Sequence, residues 1–141
     1  MKPASVFDDE QDVYEYQPKT KEELIDIIKK CIREKGRECD LNGIDVSHIT
    51  DMSYLFYNLD FNGDISDWDV SKVTDMFEMF FCSKFNGDLS GWKISNVKDM
   101  YGMFADSSFN QDISKWQIKY KCNVKNMFEN CPIDEKYKPK F

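Results

Sequence analysis

Large apolar residues recur along the chain at a fixed interval of 24 positions, with polar residues between them. Trp68, Trp92 and Trp116 are spaced in this way, and a Phe–Asn pair repeats at the same interval. Four copies follow one another without insertion or deletion, at residues 40–63, 64–87, 88–111 and 112–135. The second and third copies are identical at 12 of 24 positions. A period of this length predicts a repeat fold in which successive copies stack.

The pattern within one copy changes halfway along. Residues 65–70 combine strand formers with polar spacers, which predicts a brief strand. Val73, Met76 and Met79 then recur at steps of three, which predicts one apolar face of a two-turn helix. Neither face can be buried inside a single copy, but stacked copies bury them against each other. The predicted fold class is therefore an α/β repeat, a solenoid of four strand–turn–short-helix coils.

The segments outside the repeats are predicted to close the two ends of the stack. Residues 20–35 have a capping box, an apolar stripe and a following Gly36, which together predict an α-helix. Within residues 19–39, this helix is expected to be a lid over the first coil. Residues 1–18 are acidic and are predicted to be flexible or extended. Residues 136–141 form a basic tail that is available to close the last coil.

Charge is distributed unevenly along the chain. The formal net charge is −7, but residues 40–111 alone carry −8, from twelve acidic and four basic side chains. Because Lys and Arg are needed to bind phosphate backbones, this excess of acid argues against direct nucleic-acid binding. It fits a solvated surface, or one that meets a basic partner such as the nucleic-acid-binding groove of a host enzyme.

The cysteines and the hydropathy of the chain predict a cytoplasmic location. The five cysteines are an odd number without a CxxC pair, so buried free thiols are expected rather than disulfides or a zinc site. The first residues lack the basic and apolar regions of a signal peptide, and no apolar run is long enough to span a membrane. We expect no contact with a membrane.

No constellation of residues points to catalysis. His48 is the only histidine, and it stands in a variable column without a nucleophile or an orienting partner. Aspartates recur in two columns, at Asp51, Asp75 and Asp99 and at Asp64, Asp88 and Asp112. Helix N-caps and turn hydrogen bonds account for them better than calcium, which needs several converging oxygens. We therefore predict no catalytic residue, no cofactor and no bound metal.

The variable columns are where a binding site is expected, because the invariant columns are occupied by stacking. Exposed aromatic residues flanked by acid are typical of a protein-binding surface. The candidates are Tyr54, Tyr57, Phe77, Glu78, Phe81 and Tyr101 on the helical side, and Asp45, Asp67 and Asp69 on the strand side. Two alternatives stay open: some of these rings could belong to the core, and the strand-side acids could be merely solvated.

The segments WDVSKVTDMFEMF, FNGD and MFENC resemble the BspA-like leucine-rich repeat of bacterial surface proteins, mycoplasma lipoproteins and phage or mobile-element proteins. The resemblance covers residues 40–131. It implies a right-handed leucine-rich-repeat-like solenoid that binds another protein without catalysis, and it transfers no binding residue.

The function predicted from these features is a non-enzymatic protein-binding repeat module of bacterial or phage origin. One alternative is a phage or mobile-element inhibitor whose acidic, nucleic-acid-mimicking face occupies the groove of a host defence nuclease. A further alternative is a cell-surface adhesin.

Overall fold

The computed structural model describes residues 13–141, so most of the predicted acidic segment 1–18 lies outside the described residues. One α-helix, α1, spans Lys21–Lys35, and a 3₁₀ turn spans Glu135–Tyr137. Between these two elements the described chain winds through four coils. Isolated parallel bridges join successive coils at Asp40–Asp64, Asp51–Asp75, Asp75–Asp99 and Asp99–Asn123.

Like side chains of successive coils meet at a constant offset of 24 residues, as predicted. The rings of Trp68 and Trp92 are nearly parallel, with centroids 6.4 Å apart. Phe56, Phe80 and Phe104 stack at 5.3 Å per step. Each tryptophan also reaches the preceding coil: Trp92 Nε1 donates a hydrogen bond to a backbone carbonyl there at 3.0 Å. All of these rings are buried, so the stacked columns form the core.

The predicted strand–turn–short-helix coil is wrong, and with it the α/β class and the leucine-rich-repeat solenoid. Across residues 13–141 there is no strand beyond isolated bridges, and α1 is the only α-helix. Overlapping turns occupy the predicted helical half of each coil. The N–H of Leu55 donates to Met52 O at 3.2 Å, whereas the N–H of Phe56 donates to Met79 O in the next coil at 2.8 Å. We call the four equivalent segments, residues 52–58, 76–82, 100–106 and 124–130, the turn ladders.

Two features of the turn ladders exclude an α-helix. In the first three ladders, every second N–H group donates to a carbonyl of the next coil instead of to the carbonyl four residues back. Two positions in each ladder have positive φ, as at Tyr54 (61°) and Asn58 (52°), and this left-handed conformation interrupts a right-handed helix. The coil spacing agrees with both observations. The axes of packed helices lie about 8–10 Å apart. The rings of Phe56 and Phe80, at equivalent positions of two coils, have centroids only 5.3 Å apart.

Asx turns replace the predicted strands. Asp64 Oδ1 accepts hydrogen bonds from the N–H of Ser66 at 2.9 Å and from its hydroxyl at 2.7 Å. Asp69 binds Ser71 in the same way, at 3.0 and 2.6 Å. Each of these turns bends the chain within three residues, so extended pairing cannot continue along the coil. The prediction that the aspartate columns serve turns is confirmed, whereas the prediction of helix N-caps at these columns is wrong.

An asparagine column ties each coil to the next. Asn62 Oδ1 accepts a hydrogen bond from the N–H of Asn86 at 2.8 Å, and Asn86 Oδ1 accepts one from the N–H of Asn110 at 2.7 Å. These side chains satisfy backbone donors that would otherwise be left without a partner where the chain turns.

The predicted lid over the first coil is present. Leu24 and Ile28 of α1 are buried in the same core as the coils. Lys21 Nζ donates to Asp51 Oδ2 at 3.1 Å, which fastens the start of α1 to the first coil. Ahead of α1, Tyr16 forms a parallel bridge with Ile44. The N-terminal end of the stack is therefore covered by a helix and a short extended segment.

Candidate protein-binding surface

Five aromatic rings form a continuous row on the solvent side of the first three turn ladders. We call Tyr54, Tyr57, Phe77, Phe81 and Tyr101 the aromatic ladder. The rings of Phe77 and Tyr101 stack at 5.1 Å, and those of Tyr57 and Phe81 stack at 5.3 Å. Tyr54 lies edge-on to Phe77 at 5.3 Å and to Tyr57 at 5.6 Å, and so joins the two columns. The structure thus brings together all five aromatic residues predicted on the helical side.

The conformation of the turn ladder explains why these rings face outward. Within one ladder, Met52, Leu55 and Phe56 are buried, whereas Tyr54 and Tyr57 are 48% and 44% exposed. The positive φ of Tyr54 is rare for a bulky side chain and costs free energy. These residues stand in variable columns, which predicted a surface location, but the helices predicted to carry them do not form.

Polar groups border the aromatic ladder. Glu78 is half-buried and rests over Gly102, where an added Cβ would lie 3.2 Å from Glu78 Cγ. The hydroxyl of Tyr101 accepts a hydrogen bond from Asn126 Nδ2 at 3.2 Å. The alternative that some rings belong to the core applies only in part. Phe77, Phe81 and Tyr101 are half-buried, but they are not among the fully buried residues.

The three strand-side candidates belong to other turns of the coil. Asp45 and Asp69 occupy one column, and each accepts a hydrogen bond from a serine two residues later. Asp67 is exposed, and its N–H donates to Asn42 Oδ1 of the preceding coil at 2.9 Å. In the column of Asp45 and Asp69, the third coil has Lys93 instead of an acid. The three candidate acids therefore lie outside the turn ladders, and two of them have a structural role.

Most acidic side chains of the first three coils take part in turns. Of the twelve acids in residues 40–111, eight accept a hydrogen bond from a backbone N–H two residues later. They are Asp40, Asp45, Asp51, Asp64, Asp69, Asp75, Asp88 and Asp99. Five of these eight turns carry a recurring Asp-x-Ser tripeptide, which is a sequence signal for such turns.

Hydrogen bonding in these turns lowers the pKa of several carboxyls. The hydroxyl and the N–H of Ser71 hold the pKa of Asp69 below its usual value. At Asp51 and Asp64 burial is the largest single influence and raises the pKa, but several hydrogen bonds together outweigh it and lower the pKa. Those bonds come from Ser53 and Lys21 at Asp51, and from Ser66 and Asn42 at Asp64. The folded protein therefore prefers these groups ionised.

We expect stability to fall as the pH is lowered through about 4, the usual range of aspartate pKa values. The unfolded chain binds protons there that the folded carboxylates resist, so stability is complete above this range and is lost below it. The thermal midpoint measured from neutral to acidic pH should show this decline. The double variant Asp64→Asn, Asp69→Asn keeps the acceptor oxygens, as Asn123 does naturally with the N–H of Lys125 at 3.1 Å. A decline just as steep in this variant would contradict the prediction.

Further surface features lie on the third and fourth coils. Cavities of about 200 and 300 Å³ open between these coils. The larger is lined by Lys98, Lys119 and Lys121 together with the buried Cys122. Tyr120, next to Lys119 and Lys121 in the sequence, is exposed. His48 of the first coil is also exposed. Within residues 13–141 no three His, Cys, Asp or Glu side chains converge in a way that could hold a metal ion.

A family model described as "Mycoplasma protein of unknown function, DUF285" matches residues 24–138. The chain belongs to this family. As a DUF285 protein it is matched from within α1, through all four coils, to just beyond the 3₁₀ turn. The resemblance to mycoplasma repeat proteins is therefore confirmed at the level of this family, whereas the BspA-like leucine-rich repeat is not. Curated proteins and solved structures gave no match.

No α-helix among residues 13–141 combines the length and the apolar character that a membrane crossing requires.

Proposed function

We propose that this DUF285 protein is a non-enzymatic protein-binding module whose contact surface is the aromatic ladder. The observation that carries the proposal is the contiguous row of five rings in mutual contact, with Tyr54 and Tyr57 about half exposed. Single apolar residues on a surface are ordinary, whereas a contiguous aromatic row with a polar rim is typical of a protein interface. The partner is another protein, and Glu78 at the rim favours a partner with basic groups there.

The stacking of the rings also favours tight binding. Each ring of the aromatic ladder is held by a neighbour at 5.1–5.6 Å, so its rotamers are restricted before a partner arrives. Less conformational entropy is then lost on association. Tyrosine is also among the residues that contribute most to binding when they are partly buried at an interface.

A comparative pull-down from a lysate tests the proposal. Replacing both Tyr54 and Tyr57 by Ser should reduce the capture of the partner at least about tenfold, as the loss of interface hot spots does. The matched control is Tyr120→Ser, which removes an 89% exposed ring from the fourth coil. Proteins enriched by the wild type and by this control should be depleted with the double variant. Thermal unfolding establishes that all three proteins are folded. Retention of the partner by the double variant, or its loss in the control, contradicts the proposal.

The alternative of a nuclease inhibitor with an acidic face has weaker support, because eight of the twelve acids in residues 40–111 have a local role in turns. The same pull-down separates the two ideas. Capture that ignores Tyr54 and Tyr57 but is lost as salt rises would favour the acidic face, because exposed charges are screened by salt.

A cytoplasmic location is part of the proposal, as opposed to a surface adhesin. It is supported by the thiols, since all five cysteines are free, and burial raises the pKa of Cys31, Cys39 and Cys122. Unpaired cysteines are usual in a reducing compartment. Cell fractionation tests this point. We also propose a relationship of the repeat to the BspA-like proteins, supported by the segments WDVSKVTDMFEMF and FNGD.

A further inference from the structure

The two ends of the stack are closed to different extents. At the first coil, α1 covers the core, and Lys21 Nζ donates to Ser53 O at 3.3 Å. At the last coil, the backbone of the tail pairs with the first half only, where the N–H of Ile113 donates to Tyr137 O at 3.0 Å. The side chain of Lys138 reaches the last turn ladder, with Nζ 5.4 Å from the centroid of the Phe128 ring. Among residues 13–141, no backbone group pairs with the outer side of this ladder, residues 124–130.

Four backbone N–H groups of that ladder are consequently without an acceptor in the described part of the chain. Their equivalents in the third coil, Met100, Gly102, Phe104 and Asp106, donate to the fourth coil at 2.8–3.0 Å. The N–H groups of Val124, Asn126, Phe128 and Asn130 make no such bond. We call these four groups the open edge. Because they recur at every second residue and share the register of the earlier ladders, they form a template for pairing, as the edge of a sheet does.

The open edge presents donors and no free row of acceptors. The carbonyls of Val124, Asn126 and Phe128 already accept hydrogen bonds from N–H groups three residues later, at 3.0–3.3 Å. Two copies that met edge to edge would oppose donor with donor. A head-to-tail contact between copies is opposed by α1, which covers the first coil. A segment of a different protein that supplies main-chain carbonyls meets neither obstacle.

The charge around the open edge selects the kind of segment. Residues 112–141 contain seven lysines and four acids, a net charge of +3, in contrast to −8 on residues 40–111. Lys119, Lys121 and Lys125 are exposed just before and within the last turn ladder. Complementary charge steers a partner toward a site and rejects partners of the same sign.

We propose that the open edge binds an acidic segment of another protein. The main-chain carbonyls of that segment accept hydrogen bonds from the four N–H groups, and its carboxylates meet the lysines. Main-chain pairing of this kind supplies affinity, while side chains supply selectivity. The site is distinct from the aromatic ladder, because it is formed by the last coil instead of the first three. The two surfaces adjoin at Asn126, whose Nδ2 donates to the hydroxyl of Tyr101.

A peptide taken from the chain itself is a suitable probe. Residues 99–107 contain two aspartates and no base, and the carbonyls of residues 99, 101, 103 and 105 already accept N–H groups from the preceding coil. The peptide therefore carries the acceptor spacing that the open edge requires. We would add the unlabelled peptide to the isotope-labelled full chain and follow hydrogen exchange at the amides of the chain by NMR.

In the free protein, the four open-edge amides should exchange at least about tenfold faster than their counterparts in the third coil, because unpaired amides lack protection. Bound peptide should slow exchange at these four amides by a similar factor. A peptide that binds without slowing them, or that does not bind at about 1 mM, overturns the proposal. A scrambled peptide that binds equally well also overturns it, because charge alone would then suffice.

Matched variants separate this site from the proposed function. Lys125→Glu should weaken peptide binding about fivefold or more through charge reversal, and Lys84→Glu, an exposed lysine of the second coil, should leave it unchanged. The variant with Tyr54 and Tyr57 replaced by Ser should bind the peptide as the wild type does. Equal weakening by both lysine variants would contradict a site at the open edge.

Discussion

Trp92→Ala is expected to lower the free energy of unfolding by about 3–5 kcal/mol, as large aromatic truncations in cores do. The side chain is 3% exposed, and its ring stacks on Trp68 with centroids 6.4 Å apart. Its removal opens a cavity between coils that close-packed neighbours cannot fill. It also removes the hydrogen bond from Nε1 to Ile65 O and leaves that carbonyl without this partner. Urea unfolding followed by circular dichroism measures the loss.

Two further variants make the tryptophan prediction specific. Trp92→Phe keeps much of the ring volume but loses the N–H donor, so we expect a loss of about 1–2 kcal/mol. Tyr120→Ala, at an 89% exposed position, is the surface control and should change stability by less than about 0.5 kcal/mol. If Trp92→Ala stays folded and loses less than about 1 kcal/mol, the tryptophan column does not hold the coils together.

Gly63→Ala should lower the free energy of unfolding by about 3 kcal/mol, at the upper end of the range for overpacking. An added Cβ would lie 1.8 Å from the carbonyl oxygen of Cys39 and 2.6 Å from the ring of Phe61. Because the nearer atom belongs to the backbone, the segment that joins α1 to the first coil would have to move at Cys39. That movement would weaken the bond from the Asp64 N–H to Cys39 O, now 3.2 Å. The thermal midpoint of the variant measures the effect.

Gly87→Ala is the matched control for Gly63→Ala. Its added Cβ would meet the ring of Phe85 at 2.7 Å, with the nearest backbone atom at 3.4 Å. A side chain can shift more easily than a backbone, and the equivalent position in the next coil is Gln111. We expect a loss of about 1 kcal/mol. Similar losses for the two variants would show that the contact with Cys39 is not the reason for glycine at position 63.

The backbone within a coil was the part of the fold that the sequence could not predict. The step of three between Val73, Met76 and Met79 suits successive turns as well as a helix, because both return a side chain to the same face. Helices as short as two turns are not stable alone, so packing decides between these possibilities. Here each of the first three ladders gives every second N–H group to the next coil, which a helix cannot do.

The sequence predicted which residues belong to the candidate site better than it predicted how their side chains are arranged. Variable columns pointed to Tyr54, Tyr57 and Tyr101 as surface residues, and two of the ring contacts, Phe77 with Tyr101 and Tyr57 with Phe81, follow the columns. The contacts of Tyr54 do not: it shares a column with Glu78 and yet touches Phe77. The open edge had no signal in the sequence, since the direction of a backbone N–H depends on φ and ψ and not on side-chain type.

The order of residues alone sets the length of the repeat, the columns of stacked side chains and the helix that covers the first coil. Identical residues at a spacing of 24 can all be buried together only if the coils repeat at that spacing, so the register follows from the spacing. The replacement of strands and helices by turns, in contrast, depends on contacts between coils. The physical reason is that each backbone N–H can bond either within its coil or to a neighbour, and the close approach of the coils favours the neighbour for every second group.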